Sequence, residues 1–145
     1  MKIPQYVTVS EVKRVCRELG IRDWTKIKKP NVTAKEAGII LKVVNVKKMP
    51  IAPEDFRMGL EVELEHGTMF DDANVTNNHP ILTGMIVLVH MKETLDYYQR
   101  LDVAEVEGDL FQAVVSKNLD KIRTKYKKLI KAQAALNKVV SAKLK

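Results

Sequence analysis

From Val115 to Val140 the chain repeats apolar residues at alternating spacings of four and three: Val115, Leu119, Ile122, Tyr126, Leu129, Leu136 and Val140, with Gln133 the one polar member. Successive residues on a helix turn by ~100°, so this spacing lays the residues along one stripe of a helix and along no face of a strand. Lysines and Arg123 fill most positions off the stripe. Residues 109–145 therefore predict a long basic amphipathic helix. Lys121, Arg123, Lys125, Lys127, Lys128 and Lys131 are its candidate contacts to an acidic partner or to nucleic acid. The stripe itself can pack on the same chain, on another chain or on an acidic surface.

Charge divides the sequence into three. Residues 1–50 hold twelve Lys/Arg against four Asp/Glu, residues 51–116 three against thirteen, and residues 117–145 ten against one. The net values of +8, −10 and +9 sum to the overall +7. An acidic centre between basic ends suits self-association or docking as well as nucleic acid. The single cysteine, Cys16, excludes an internal disulfide and suits a reducing compartment. It shares a helix face with Val12, Val15 and Leu19, the pattern of a buried structural thiol. No secretory signal is evident, and no apolar run approaches the ~18 residues of a membrane span. Asn31-Val32-Thr33 and Asn74-Val75-Thr76 match the glycosylation pattern, but without an export signal they read as turn and cap chemistry.

Two capping-box signatures, Thr8-x-x-Glu11 and Thr33-x-x-Glu36, open the first two predicted helices, with Gly20 stopping the first. The β-branched run around residues 38–46 leaves helix and strand both open for the second. A third helix is expected from Pro53 to His66, stopped by Gly67, then a polar loop over 67–79. A fourth runs from Pro80 to about Glu93, and a further helix covers roughly 94–107. The expected fold is mainly α. A small module of antiparallel helices around residues 53–107 (core module 51–108) joins a basic N-terminal helical segment (1–50) to the basic C-terminal helix (109–145).

The third and fourth helices each place an ionisable pair where leucine would be more usual. Helical geometry puts Glu63 in the middle of the apolar arc of its helix and His90 in the middle of the next, while Glu61 and Glu65 point to solvent. A buried carboxylate needs a partner. One reading is a Glu–His hydrogen bond that fixes the register of the two helices. The other is a metal site built from Glu63, His66, His90 and Glu93, because Glu-x-x-His is the spacing used by inward-facing ligands in di-iron bundles. Here the second pair is reversed, and hairpin geometry sets His66 at a helix end and His90 ~15 Å into the next helix. No cofactor is expected on the first reading; a divalent metal ion is the alternative. Asp71, Asp72, Asn74, Asn77 and Asn78 lack EF-hand spacing and read as a solvated turn rather than a calcium loop. No phosphate loop, nucleophile elbow or Cys-x-x-Cys occurs.

Met58-Gly-Leu-x-Val-Glu-Leu-Glu-His-Gly67, Asn74-Val-Thr76, Thr83-Gly84, His90-x-x-Glu93 and Asp96-Tyr-Tyr98 together resemble an uncharacterised domain family of tailed phages and large DNA viruses. The Leu19-Gly-Ile-x-x-Trp24 turn adds a weaker likeness, and Met91 and Leu95 depart from the pattern. The resemblance implies a viral origin and a virion or minor capsid component, made in the host cytoplasm and not secreted. It carries over no catalytic role. The expected function is therefore a non-enzymatic interaction protein, with virion proteins, copies of itself or nucleic acid as partners. A nucleic-acid-binding accessory protein and a small metal-binding protein are the rival expectations.

Overall fold

The computed structural model describes residues 6–144, and within them the chain forms six α-helices and no strand. They are α1 (Val9–Leu19), α2 (Ala34–Val44), α3 (Pro53–Met69), α4 (Pro80–Glu93), α5 (Tyr97–Val115) and α6 (Leu119–Ala142). Residues 38–46, open between helix and strand, are helical as far as Val44.

Thr33 and Glu36 form the complete reciprocal box expected at α2, whereas at α1 Thr8 accepts from the Glu11 amide and the Glu11 carboxylate turns to Arg14 instead. Gly20 ends α1 in the left-handed conformation (φ 64°), with its own amide donating to Arg17 and that of Ile21 to Cys16. Gly67 does something else. It lies within α3, two residues before its end, and an added Cβ would stand 2.1 Å from Asn78 Oδ1 and 3.1 Å from Asn74 Nδ2. The glycine is a close-approach site for the loop that follows rather than a stop.

Compactness divides the chain between Glu93 and Thr94, not after residues 50 and 108 as expected from the sequence. In the first unit α2, α3 and α4 pack on one another, while α1 joins through a 3-10 turn at Trp24–Lys26 and through α4. Residues 6–50 of the basic N-terminal segment thus belong to this core; residues 1–5 lie outside the described positions. Val12, Trp24, Ile40, Phe56, Leu60 and Val87 are completely buried, and Cys16 is buried as expected. The Thr83-Gly84 step lets α4 sit directly on α2, because Gly84 has no Cβ to strike Ile40.

The second unit is a helical hairpin, α5 against α6. It replaces the uninterrupted helix expected from 109 onward. Val115 ends α5, Lys117 takes a left-handed φ of 52°, and the Asn118 amide returns to Ala113. The Asn118 side chain then caps α6 at the Lys121 amide. The inward stripe of α6 is also turned slightly from the expected one. Ile122, Leu129 and Leu136 are on it, but Ala132 and not Gln133 is the buried residue between them. The polar interruption disappears because the helix rotates the glutamine outward. Facing it, α5 supplies Val103, Val106, Leu110 and Ala113.

A methyl at position 84 would stand 2.6 Å from Ile40 Cγ2, on a branched, fully buried side chain that cannot swing aside. Gly84→Ala is expected to destabilise the first unit by about 1–2 kcal/mol despite its better helix propensity. Gly38→Ala, in the same unit with nothing within 4 Å of the new methyl, is expected to stabilise it by about 0.5–1 kcal/mol. Denaturant unfolding of the two variants checks both signs.

Candidate functional site

The candidate ligands meet only in part. Glu63 reaches across from α3 to α4, with Oε1 3.6 Å from His90 Nε2 and Oε2 3.9 Å from His66 Nδ1. The loop makes this alignment available. By extending α3 to Met69 and folding back through a short 3-10 turn, it brings Glu63 level with His90 although the helices start and stop out of step. Glu93 stays exposed at the last residue of α4, and the His66 side chain is 62% exposed. His90 is not central on the buried face of α4. That face runs through Pro80, Thr83, Gly84, Val87, Leu88 and Met91, which puts His90 on its edge and Val89 in solvent. The close approach at Gly84 decides the rotation.

Zinc or iron ligands stand ~2.0–2.2 Å from their ion and converge on one point. Among the described residues no group of three or more His, Cys, Asp or Glu does so. The loop asparagines are likewise spent within the fold. Asn74 Nδ2 donates to the Gly67 carbonyl and to Asn78 Oδ1, and Asn77 Nδ2 to the Val7 carbonyl. The Asp71 side chain of the calcium reading lies outside the described positions.

Three polar centres stand out that the pattern of charges did not single out. The first is Glu36, whose capping-box role was legible but whose further partners were not. Its side chain is only 4% exposed and receives Arg22 through Nε and Nη2 (2.9 and 2.7 Å), Trp24 Nε1 (3.3 Å), and the Thr33 hydroxyl and amide (2.8 and 3.0 Å). Burial would raise its pKa, but these donors, Arg22 foremost, hold it at about 2. The second is Asp96, fully buried, which accepts from Arg100 (3.0 Å), Lys143 (3.1 Å) and the Thr94 hydroxyl. Burial opposes its charge, and the three donors prevail, keeping it well below the carboxylate range. The third is His79, buried before α4, whose Nδ1 accepts from the amides of Ile81 and Leu82. It caps a helix, and burial pushes its pKa down.

Glu61 is also no solvated bystander. It accepts from the Val32 amide (3.0 Å) and pairs with Arg57 (2.6 Å), pinning the connector before α2 to α3. Of the predicted basic contacts, Lys125 is committed to an ion pair with Asp109 on α5. Lys121, Arg123, Lys127, Lys128 and Lys131 are exposed.

Most of the sequence-marked residues, from Gly20 and Trp24 through Glu63, His90 and Asp96 to Tyr98, thus hold structure together. A family model described as "Protein of unknown function (DUF5661)" matches residues 12–107, the first unit from mid-α1 onward and the first half of α5. The chain belongs to this family. Neither the curated proteins nor the solved structures yielded a match. Glu36, Glu63, His79, His90 and Asp96 all lie within the family match, whereas α6 lies wholly outside it.

Two outcomes are expected from this geometry. Addition of zinc or of a strong chelator to the purified chain should leave its thermal midpoint unchanged within 1–2 °C by the ~3 °C-per-kcal/mol scaling of a chain this size. Stability should fall in two steps on acidification. His79 is depressed in the folded state, so its contribution is complete above the ordinary histidine range and is lost as pH falls below that range. Glu36 is also depressed, so its contribution is present above the ordinary carboxylate range and is lost as pH falls from there towards about 2. Replacing His79 by serine, which caps without titrating, should remove the first step in urea unfolding measured between pH 7 and 5.

Proposed function

We propose that the chain is a non-enzymatic docking protein whose α6 presents a basic contact surface to an acidic partner protein. The observation that carries this reading is the division of labour among the cations of α6. Lys125 and, just beyond the helix, Lys143 are neutralised inside the hairpin by Asp109 and Asp96. Arg123, Lys127, Lys131 and Lys138 remain exposed at helical spacing on the side away from α5, a stripe of about 22 Å. Lys121 and Lys128 flank it. Glu36, Glu61, Asn74, Asn77 and His79 of the first unit are engaged in caps and internal pairs, which supports a binding role over a catalytic one.

A partner protein suits this stripe better than a nucleic acid. Helix α5 carries Asp102, Glu105, Glu107 and Asp109 on the same hairpin, and a phosphate backbone wrapping round from the stripe would meet them. A protein presenting one acidic face would not. The resemblance in residues 58–98 makes a virus or phage particle the setting we propose, with a capsid subunit as the acidic surface. Mass spectrometry of purified particles, with crosslinking, tests the setting. Absence of the chain from particles would remove it.

The surface itself can be tested with two probes, a Glu/Asp-rich helical peptide and a random duplex, by fluorescence anisotropy under a salt titration. The peptide is expected to bind the full chain. Lys127→Glu, Lys131→Glu and Lys138→Glu together should weaken that binding by about tenfold or more at low salt, with unchanged helicity. Tighter binding to the duplex, with a steep salt dependence, would assign the stripe to nucleic acid instead.

A further inference from the structure

Helix α4 buries one face and leaves the stripe beside it open. Ile81, Met85, Leu88 and Val89 line a groove of about 320 Å³ whose other wall is the end of α2 and the segment after it, from Val43 to Met49. Met85 and Val89 are 52% exposed, Val43 46% and Val46 81%. A segment that joins two helices is ordinarily polar, and a contiguous apolar patch on one marks a surface made for contact. The wall is also built to keep its shape. The Asn45 side chain donates to the Met49 carbonyl and accepts from the Met49 amide, both at 2.9 Å, while the Lys48 amide returns to the Asn45 carbonyl. Lys48 is held at φ 52°, a left-handed conformation that a lysine adopts only under constraint. Val46 is thus fixed on the groove wall before any partner arrives, which lowers the ordering cost of binding.

We infer that this groove docks an acidic amphipathic helix of a partner protein, about three turns long. Charge at the groove itself selects the occupant. Lys47 and Lys92 are among its lining residues, and no Asp or Glu is. A second hollow, sharing Asn45, Val46 and Met49 with the first, adds Lys42 and Lys48 and again no acid. All four lysines are exposed, and among the described residues none is paired with a carboxylate. An apolar floor with a cationic margin fits a ligand that carries carboxylates beside leucine-like side chains. It repels a basic helix such as α6.

The floor sets the form of the ligand. Ile81, Met85, Leu88 and Lys92 recur every three or four residues over about 16 Å of α4, a stripe onto which a second helix can lay its own i, i+4 and i+7 side chains. Strand addition has no edge to use, since the described residues contain no strand. A fatty acid would carry the same charge, but sites for small ligands enclose most of their occupant, and this groove leaves Met85 and Val89 half in water. Met49 and Met85 give the lining a polarizable, adaptable surface suited to peptide side chains. The inference stands on the first unit alone and does not rest on the basic stripe of α6.

The probe is a fluorescein-labelled helical peptide with leucine at i, i+4, i+7 and i+11 and glutamate on the flanks. Its control keeps the glutamates and replaces the leucines by glutamine. Each is titrated into the full chain and followed by anisotropy and by methyl-resolved NMR. The leucine peptide is expected to bind at least about tenfold tighter than the control and to shift Ile81, Met85 and Val89. Equal binding of the two peptides, or shifts confined to the second unit, overturns the inference. Met85→Gln with Val89→Gln, both at exposed helix positions, should weaken the leucine peptide by about tenfold or more. Lys47→Gln with Lys92→Gln should weaken it and flatten its salt dependence. Binding indifferent to either pair places the contact elsewhere and overturns the inference. Groove shifts on raising the chain's own concentration without peptide would make a second copy the occupant. Groove shifts with a fluorescent fatty acid, and none with the leucine peptide, would assign the groove to a lipid. Either result overturns the choice of a partner helix. The substitutions at Lys127, Lys131 and Lys138 should leave the ratio between the two peptides at the groove unchanged, so the two proposals fail separately.

Discussion

The carboxylate of Glu36 is the interaction on which the first unit depends. A charge so enclosed survives only where donors surround it, and here they come from two stretches of chain: Arg22 and Trp24 after α1, and Thr33 before α2. The connector between α1 and α2 has little regular structure, so this one group fixes its path. With the path fixed, Trp24 is delivered to the core and Val32 meets Glu61 on α3. The α2 face bearing Ile40 and Val44 can then receive α4 at Gly84. Packing and polar chemistry are thus one argument, because the apolar surfaces come into register only after the charge is satisfied.

Asp96 plays the corresponding part in the second unit. It lies just before α5, yet its cations come from one turn along that helix and from the far end of α6. The hairpin is held at its turn by Asn118 and the left-handed Lys117, and at its open end by a buried carboxylate. Between them the apolar stripes of α5 and α6 zip together. The arrangement leaves one flank polar and the other apolar.

Much of this architecture was legible because helical periodicity and capping are local. Thr8, Thr33, Gly20, Pro53 and Pro80 mark helix ends within a few residues, and the all-helical class followed from the spacing of the apolar residues. The failures share a physical cause. The turn at 116–118 contains no glycine or proline, so a heptad pattern ran straight across it. Gly67 and Gly84 look like breakers in sequence but permit close approaches that only tertiary structure defines. His90 was placed at the centre of its face because the wheel assumes that apolar residues alone orient a helix, whereas Gly84 turned it. Glu63 was rightly set among buried neighbours, but Glu36 and Asp96 were not foreseen as charge centres, since their partners lie up to 47 residues away.

The Asp96–Lys143 pair also sets a rule of length for the hairpin. Adding or removing one residue anywhere in α6 would turn Lys143 by about 100° away from the carboxylate and leave a buried charge short of a cation. Seven residues, by contrast, return a helix to within about 20° of its starting direction. If added to both α5 and α6, they keep the two stripes and the clasp in phase. Length differences in this part of the molecule should therefore come as matched pairs of whole heptads, so that the hairpin behaves as a ruler graduated in steps of about 10 Å.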